Sequence, residues 1–483
     1  MVTRQLHSII FAFCVSFTFL LGACATTSED STNLKRIYDK SAQYHRPDRN
    51  PVIVIPGILG STLVDEASGK TVWGAFRSDY ADPNSDEGAR LVALPLTTDL
   101  SESHYVQTEV RPAGVLESIK ADLAGIPISI QAYSGILTTL GAGGYLDESL
   151  GLNSVDYGTD HYTCFQFDYD WRQDIPTNAA RLKAFIDEKR ADVQRNYKRD
   201  FGIDNAEVKF DIVAHSMGGL LTRYFARYGD ADIDGLTDGV VPWTGAQDVE
   251  RLILVAPPNG GSLEAMDQLL NGFNTGRPVL PYYHPALIGT FPSVYQLLPR
   301  SRNAAFVWNE DVSDPVEDIL DPDLWESFGW GLSGQDKGTD EVLERLMPSI
   351  TSVAERRRFA RRFQRDALDR AKDVQRVLDI PAKPPRGIEL FLVAGDNNKT
   401  PSIASIDKAT GDYSVLDYNL GDETVTRDNA LQDERVGQVW EPRLVSPINW
   451  DATMFIAGKH RNITSGRIFE DNVLYWLLED PRE

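Results

Sequence analysis

Short apolar runs alternate with amphipathic stretches along most of the chain. Pro51-Val-Ile-Val-Ile-Pro56 is dense in β-branched residues and bounded by prolines, which predicts a buried strand. Residues 164–169, 209–214, 251–256, 388–394 and 453–457 read as strands in the same way. Between them, Leu182, Phe185, Ile186, Val193 and Tyr197 fall mostly on one helical stripe, behind a cap expected at Thr177 or Asn178. Residues 217–228 predict a further helix closed by Gly229. Apolar strands separated by helices are the pattern of a mostly parallel central sheet with helices on both faces, so the expected fold class is α/β.

Two stretches break that rhythm, at about 65–150 and 263–387, where aromatic, proline and acidic residues interleave. They are too long for bare loops in a compact domain and are expected to be cap or lid insertions. The second carries a basic helix at 355–378, with Phe359, Phe363, Ala367, Ala371, Val374 and Leu378 on one stripe and arginines on the other faces. Such a helix packs into a cap; an arginine face near anionic lipid head groups is the other reading. The acids of 311–323 lack a calcium-loop signature and read as a solvated face.

At the amino end Arg4 precedes an apolar run at 9–21 that meets Leu21-Gly22-Ala23-Cys24. This is the layout of an export signal, and the run is too short to span a bilayer comfortably. Leu-Gly-Ala-Cys resembles the bacterial lipobox, so 1–23 is expected to be a lipoprotein signal peptide and Cys24 the lipidated residue. Ordinary cleavage within Ala23-Cys24-Ala25 is the alternative. Residues 24–49 then read as a flexible tether and 50–483 as one domain with the two insertions. The expected location is the bacterial cell envelope, lipid-anchored, at the outer membrane rather than the inner; a soluble secreted or periplasmic protein is the alternative. Cys164 is the remaining cysteine and reads as a buried strand residue, so no disulfide is expected.

Composition narrows the function. Among 483 residues, 42% are apolar and 25% charged, as in an ordinary globular protein. Lys and Arg total 48 against 71 Asp and Glu, a formal net charge of -23, which argues against a nucleic-acid partner. Seven His and three Cys leave little for a metal cluster, and neither metal nor cofactor is expected.

The sharpest chemical signal is Phe210-Asp-Ile-Val-Ala214-His215-Ser216-Met217-Gly218-Gly219-Leu220. A strand enters a helix through small-His-Ser-x-Gly, the tight elbow that presents a nucleophilic serine at the top of a sheet; Ala214 stands where the first glycine is usual. A serine hydroxyl needs a histidine to take its proton and a carboxylate to orient that histidine. At such elbows the partners follow in the order acid, then histidine. Two histidines follow Ser216: His284, in a proline- and aromatic-rich stretch, and His460, after the last strand. His460 is the expected base; the His215 side chain leaves the elbow in another direction. For the acid, Asp396 and Asp422 both stand in loops after strands, and spacing does not separate them. An oxyanion needs two N–H donors. The Met217 amide is one, and the glycine-rich Pro56-Gly57-Ile58-Leu59-Gly60-Ser61 loop is expected to supply the other.

Several blocks are together similar to the lecithin:cholesterol acyltransferase family. They are Pro51-Val-Ile-Val-Ile-Pro-Gly-Ile-Leu-Gly-Ser61, Phe167-Asp-Tyr-Asp-Trp-Arg172, Ala214-His-Ser-Met-Gly218, Ala256-Pro-Pro-Asn-Gly-Gly-Ser262 and Gly421-Asp-Glu-Thr-Val425, with His460 completing the set. The resemblance implies an α/β-hydrolase fold, Asp422 as the acid, Leu59 as the second oxyanion donor, and a structural or cap-facing role for 169–172. It also implies a serine-dependent lipid acyltransferase or lipase. Ser216 would take an acyl group from phospholipid or neutral lipid at a membrane or micelle surface and pass it to an alcohol or water. The membrane contact would run through the N-terminal anchor, with no obligate protein partner. A carboxylesterase for soluble short-chain esters, or a non-catalytic lipid-binding envelope lipoprotein, are the alternatives.

Overall fold

The computed structural model describes residues 33–76, 80–101, 104–116, 118–123, 126–131, 133–150, 161–273, 281–437 and 440–482. The expected signal segment 1–23 and Cys24 lie outside them. At the centre is a 6-stranded sheet of β1 (Val52–Ile55), β2 (Cys164–Gln166), β3 (Phe210–His215), β4 (Val249–Val255), β5 (Glu389–Gly395) and β6 (Ala452–Ile456). Its order is β6-β5-β4-β3-β1-β2, and every neighbouring pair is parallel.

Side chains of β1 alternate between two cores, because successive residues of a strand point to opposite faces. Ile53 and Ile55 join the core that holds Leu182 and Ile186 of α1 (Ile175–Phe201) and Leu220 and Leu221 of α2 (Met217–Tyr228). Val52 and Val54 join the other, with Phe469, Val473 and Trp476 of α4 (Arg467–Leu478). Both faces are covered, which is why these strands read as unbroken apolar runs. Helix α1 begins earlier than expected. Asp174, not Thr177 or Asn178, is its cap, accepting from the Thr177 amide, and Pro176 is tolerated in the first turn.

The two insertions are structured. The first holds short strands, among them Thr71–Trp73, Val110–Val115 and Ile126–Gln131, where sequence signals for strands fade. Val110–Val115 explains the fading: it contains Pro112 and Gly114 and leaves most of its residues exposed or half-buried. The second insertion holds the basic helix α3 (Val353–Leu378), capped by Ser352. Phe363, Ala367, Ala371, Val374 and Leu378 are buried, and Phe359 is partly so. Its arginines meet the protein's own acids: Arg370 bonds Asp174 and Asp232, each at 2.9 Å, and Arg365 bonds Asp323 and Glu326, each at 2.6 Å. Packing within the cap, rather than a lipid-facing arginine stripe, describes this helix.

The carboxyl end of α3 is held by the helix that follows Ser216. Arg223 Nη2 donates to the Leu378 carbonyl at 2.8 Å, Arg227 Nη1 to Val377 and Leu378 at 2.9 and 2.7 Å, and the Tyr228 hydroxyl to Val377 at 2.7 Å. Cations and donors at the last carbonyls of a helix satisfy groups that have no partner within it.

Residues 33–49, the described part of the stretch read as a tether, are helical at Leu34–Ile37 and Asp39–Ala42. Tyr38 is buried, and its hydroxyl bonds Asp471 of α4 at 2.8 Å, so these residues dock on the domain instead of hanging free. Arg49 Nη2 also donates to the Gly143 carbonyl at 2.7 Å, a second tie to the domain. Cys164 is buried and free, as expected. Among the described residues no helix is long and apolar enough to cross a membrane.

Candidate active site

The elbow is built by close packing. Ser216 sits between β3 and α2 with φ 54° and ψ -127°, a backbone state that non-glycine residues adopt only under constraint. Its own amide is held by the Val255 carbonyl at 2.8 Å. A Cβ on Gly218 would stand 2.5 Å from the Pro56 carbonyl oxygen, which explains the need for a small residue two positions after the serine. Ala214, two before, is fully buried beside Leu254 of β4.

Gly57 approaches from the other side. A Cβ there would lie 2.7 Å from Ser216 Cβ and 3.2 Å from Ser216 Oγ. Gly57→Ala is therefore expected to displace the hydroxyl and lower turnover on any ester by about 100-fold, the scale of a misplacement of about an ångström, with thermal stability far less affected. Steady-state kinetics beside a melting curve checks this.

The loop after β1 is a turn closed by Gly60 N–H donating to Gly57 O at 3.1 Å, with Leu59 at φ 63°. A positive φ at that position of a turn normally calls for glycine. Its retention with leucine is enforced by neighbours: Trp73 Nε1 donates to the Leu59 carbonyl at 2.8 Å, and the Tyr169 hydroxyl to the Pro56 carbonyl at 2.9 Å. Trp171 Nε1 donates to the Ser61 carbonyl at 3.2 Å. Among the described residues, no protein acceptor is hydrogen-bonded to the Leu59 or the Met217 amide. Two amides beside the serine are thus left to an outside acceptor.

His460 lies four residues beyond β6, in the loop before α4. Its Nε2 is 2.9 Å from Ser216 Oγ and its Nδ1 is 2.8 Å from Asp422 Oδ2. Its backbone N–H also donates to the Asp422 carbonyl at 2.8 Å. Asp422 is almost fully buried, and its Oδ1 accepts the amides of Thr424 and Val425 at 3.0 and 2.7 Å. Burial opposes ionisation of this carboxyl, yet the His460 charge and hydrogen bond and the two amides outweigh it and hold it below the usual carboxylate range. The other candidates go elsewhere. Asp396 makes no hydrogen bond to His460, and His284 caps the short helix Pro285–Ile288 through Nδ1.

Three residues at the site carry no sequence signal of their role. Tyr133 and Trp73 come from the first insertion, where no motif marks them. His215, set aside as base, has its Nδ1 3.1 Å from the Tyr133 hydroxyl and its Nε2 3.0 Å from the His460 carbonyl. In the 167–172 block, Asp170 and Arg172 form a buried pair at 2.8 Å, and Arg172 Nη1 donates to the Leu91 and Val92 carbonyls, each at 2.9 Å. That block ties the first insertion and the 56–61 loop to the core, the structural and cap-facing part expected of it.

Beside Leu59 lies a nearly closed apolar cleft with a free volume of about 20 Å³ and with Trp73, Trp171, Phe273, Phe291 and Val294 among its walls. Its lining is overwhelmingly apolar, which suits a hydrocarbon chain better than a polar ligand. One grouping of metal-competent side chains occurs among the described residues, His104, Asp232 and Asp234. It is largely exposed, and Asp232 already pairs with Arg370.

Residues 150–326 match the family model described as lecithin:cholesterol acyltransferase. Among solved structures, the chain is similar to one described as the crystal structure of the Tle4-Tli4 complex, with 14% identity over 89% of this chain and 98% of that one, at a TM-score of 0.52. It is also similar to the Bacillus licheniformis lipase BlEst2 in mature form, with 12% identity over 90% and 95% of the two chains, at a TM-score of 0.30. At such identities the likeness speaks to fold alone, and the first structure carries it. No curated protein matches the chain. The chain has an α/β-hydrolase fold, and its residues 150–326 are similar to the lecithin:cholesterol acyltransferase family.

Proposed function

We propose that the protein transfers fatty acyl groups from phospholipid or neutral lipid through an acyl-enzyme on Ser216. The observation that carries this reading is the unbroken hydrogen-bonded series Asp422, His460, Ser216. His460 Nε2 takes the Oγ proton as Oγ bonds to the ester carbonyl carbon; the carbonyl oxygen becomes an oxyanion facing the Leu59 and Met217 amides. Collapse breaks the ester C–O bond, and the proton on His460 goes to the departing alcohol. Water or a second alcohol then gives its proton to His460 as it attacks the acyl carbon; the Oγ–acyl bond breaks, His460 returns the proton to Oγ, and acid or new ester is released with Ser216 restored. Asp422 holds the imidazole with Nδ1–H towards it and stabilises the imidazolium formed at each step.

A lipid substrate is supported by the apolar side chains gathered beside Leu59. In this reading Cys24 carries a lipid anchor in the cell envelope, which keeps the enzyme at its substrate. The test is incubation with phosphatidylcholine vesicles and a long-chain alcohol, with products resolved as free acid or ester. Either product, absent in Ser216→Ala, supports the proposal; activity confined to soluble short-chain esters, with no rise at the micellar threshold, refutes the lipid part.

Chain length gives a graded check. Each methylene buried against these apolar walls as they part contributes about 0.8 kcal/mol, so kcat/KM on p-nitrophenyl esters is expected to rise about fourfold per methylene until the walls are covered. Val294→Trp should move that maximum to shorter acyl chains.

A further inference from the structure

Ser216 is preceded by a histidine that the mechanism above does not use. His215 and Tyr133 are both buried, and their rings and those of His215 and His460 pack with centroids 5.6 and 4.8 Å apart. The three hydrogen bonds around them have one consistent proton arrangement. A carbonyl only accepts, so His215 Nε2 bears the hydrogen that reaches the His460 carbonyl at 3.0 Å. Nδ1 of the neutral ring is then an acceptor, and the Tyr133 hydroxyl donates to it at 3.1 Å. The Tyr133 oxygen in turn accepts the Gly57 N–H at 2.8 Å. Burial, with His460 alongside, pushes His215 down to about 3, which keeps this neutral tautomer in place.

We infer that His215 and Tyr133 are positioning residues that join the loop carrying the base to the loop carrying the oxyanion donor. One end of the relay holds the main chain of His460; the other holds Gly57, two residues before the Leu59 amide. The span runs through the elbow itself, so the imidazole and the amide are referenced to one point next to the nucleophile. An apolar side chain at either position would fill the same space without this connection. The inference rests on the acyl-transfer reading above, because it assigns the network a kinetic effect and not merely a place in the core.

The test uses the full chain, an ester substrate and a fluorophosphonate titrant that counts reactive Ser216. Tyr133→Phe keeps the ring and removes the hydroxyl. It is expected to lower kcat per titrated serine by about tenfold with KM within about twofold, since alignment and not substrate contact is lost. His215→Asn keeps an acceptor near Tyr133 but does not reach the His460 carbonyl, and is expected to lose about 100-fold. His215→Gln places an amide N–H where Nε2 was and should recover about tenfold of that loss. The Tyr133→Phe, His215→Asn double variant should lose less than the product of the single losses, as expected of groups in one chain of contacts. Undiminished kcat per titrated serine in Tyr133→Phe and His215→Asn, with only their melting temperatures lowered, would overturn the inference. So would a Gln variant no better than Asn. A wild-type chain that neither reacts with the titrant nor turns over esters instead refutes the acyl-transfer reading itself, so the two failures are told apart.

Discussion

Ser216→Ala is expected to lower turnover by about a millionfold and to abolish labelling by fluorophosphonate probes. Among the described residues, no other hydroxyl is hydrogen-bonded to His460 Nε2, which meets Ser216 Oγ at 2.9 Å. Without Oγ no acyl-enzyme forms, and what remains is whatever the two amides and the cleft do for direct attack by water. In serine hydrolases that residue of catalysis amounts to about 10³–10⁴ over solution, against a total loss of about 10⁶ for the nucleophile. Folding should be little changed, since the elbow's backbone is held by the Val255 carbonyl and by close packing on Gly57 and Gly218. Labelling that persists in the alanine variant would put the nucleophile elsewhere.

Asp422→Asn is expected to cost about 10⁴-fold in kcat. The geometry says why an isosteric change is so damaging. Oδ1 of Asp422 accepts two backbone amides, from Thr424 and Val425, so an asparagine there must keep its oxygen on that side. Its NH₂ group would then face His460 Nδ1, which becomes the acceptor, and the ring proton moves to Nε2. That nitrogen is the one that must take the proton from Ser216. Asp396→Asn, by contrast, should leave kcat within about twofold, because Asp396 makes no hydrogen bond to His460. A pair of kcat measurements separates the two; the reverse outcome would make Asp396 the acid.

The central sheet was legible because it is parallel and covered on both faces, which leaves strands such as Val52–Ile55 apolar at every position. What stayed hidden is the hairpin of Asn398–Ile406 and Tyr413–Gly421. It belongs to a separate 4-stranded sheet with Phe306–Trp308 and Asp311–Pro315, and its second strand is mostly exposed, with Leu420 at 55%. A strand with solvent along it carries polar residues and looks like a loop. That hairpin is also why spacing does not choose between the two acids. It leaves the sheet just after Asp396 and returns at Asp422, so that residues distant in sequence meet: a Cβ on Gly395 would lie 2.6 Å from Asp422 Cβ. The serine and the histidine were readable from the elbow and from chain order. Tyr133 was not, because nothing in a run of ordinary residues says that one phenol will reach Gly57 and His215.

The grip of Arg223, Arg227 and Tyr228 on the end of the long cap helix sets a limit on how this protein breathes. Both guanidiniums are buried, and prying the helix terminus away would strand them with no water to replace the lost carbonyls, at a cost of several kcal/mol. That end of the cap travels with the nucleophile's own helix as one solid piece. Any opening of a path to Ser216 must therefore come from shorter parts of the roof, with the back of the cap as their fixed support.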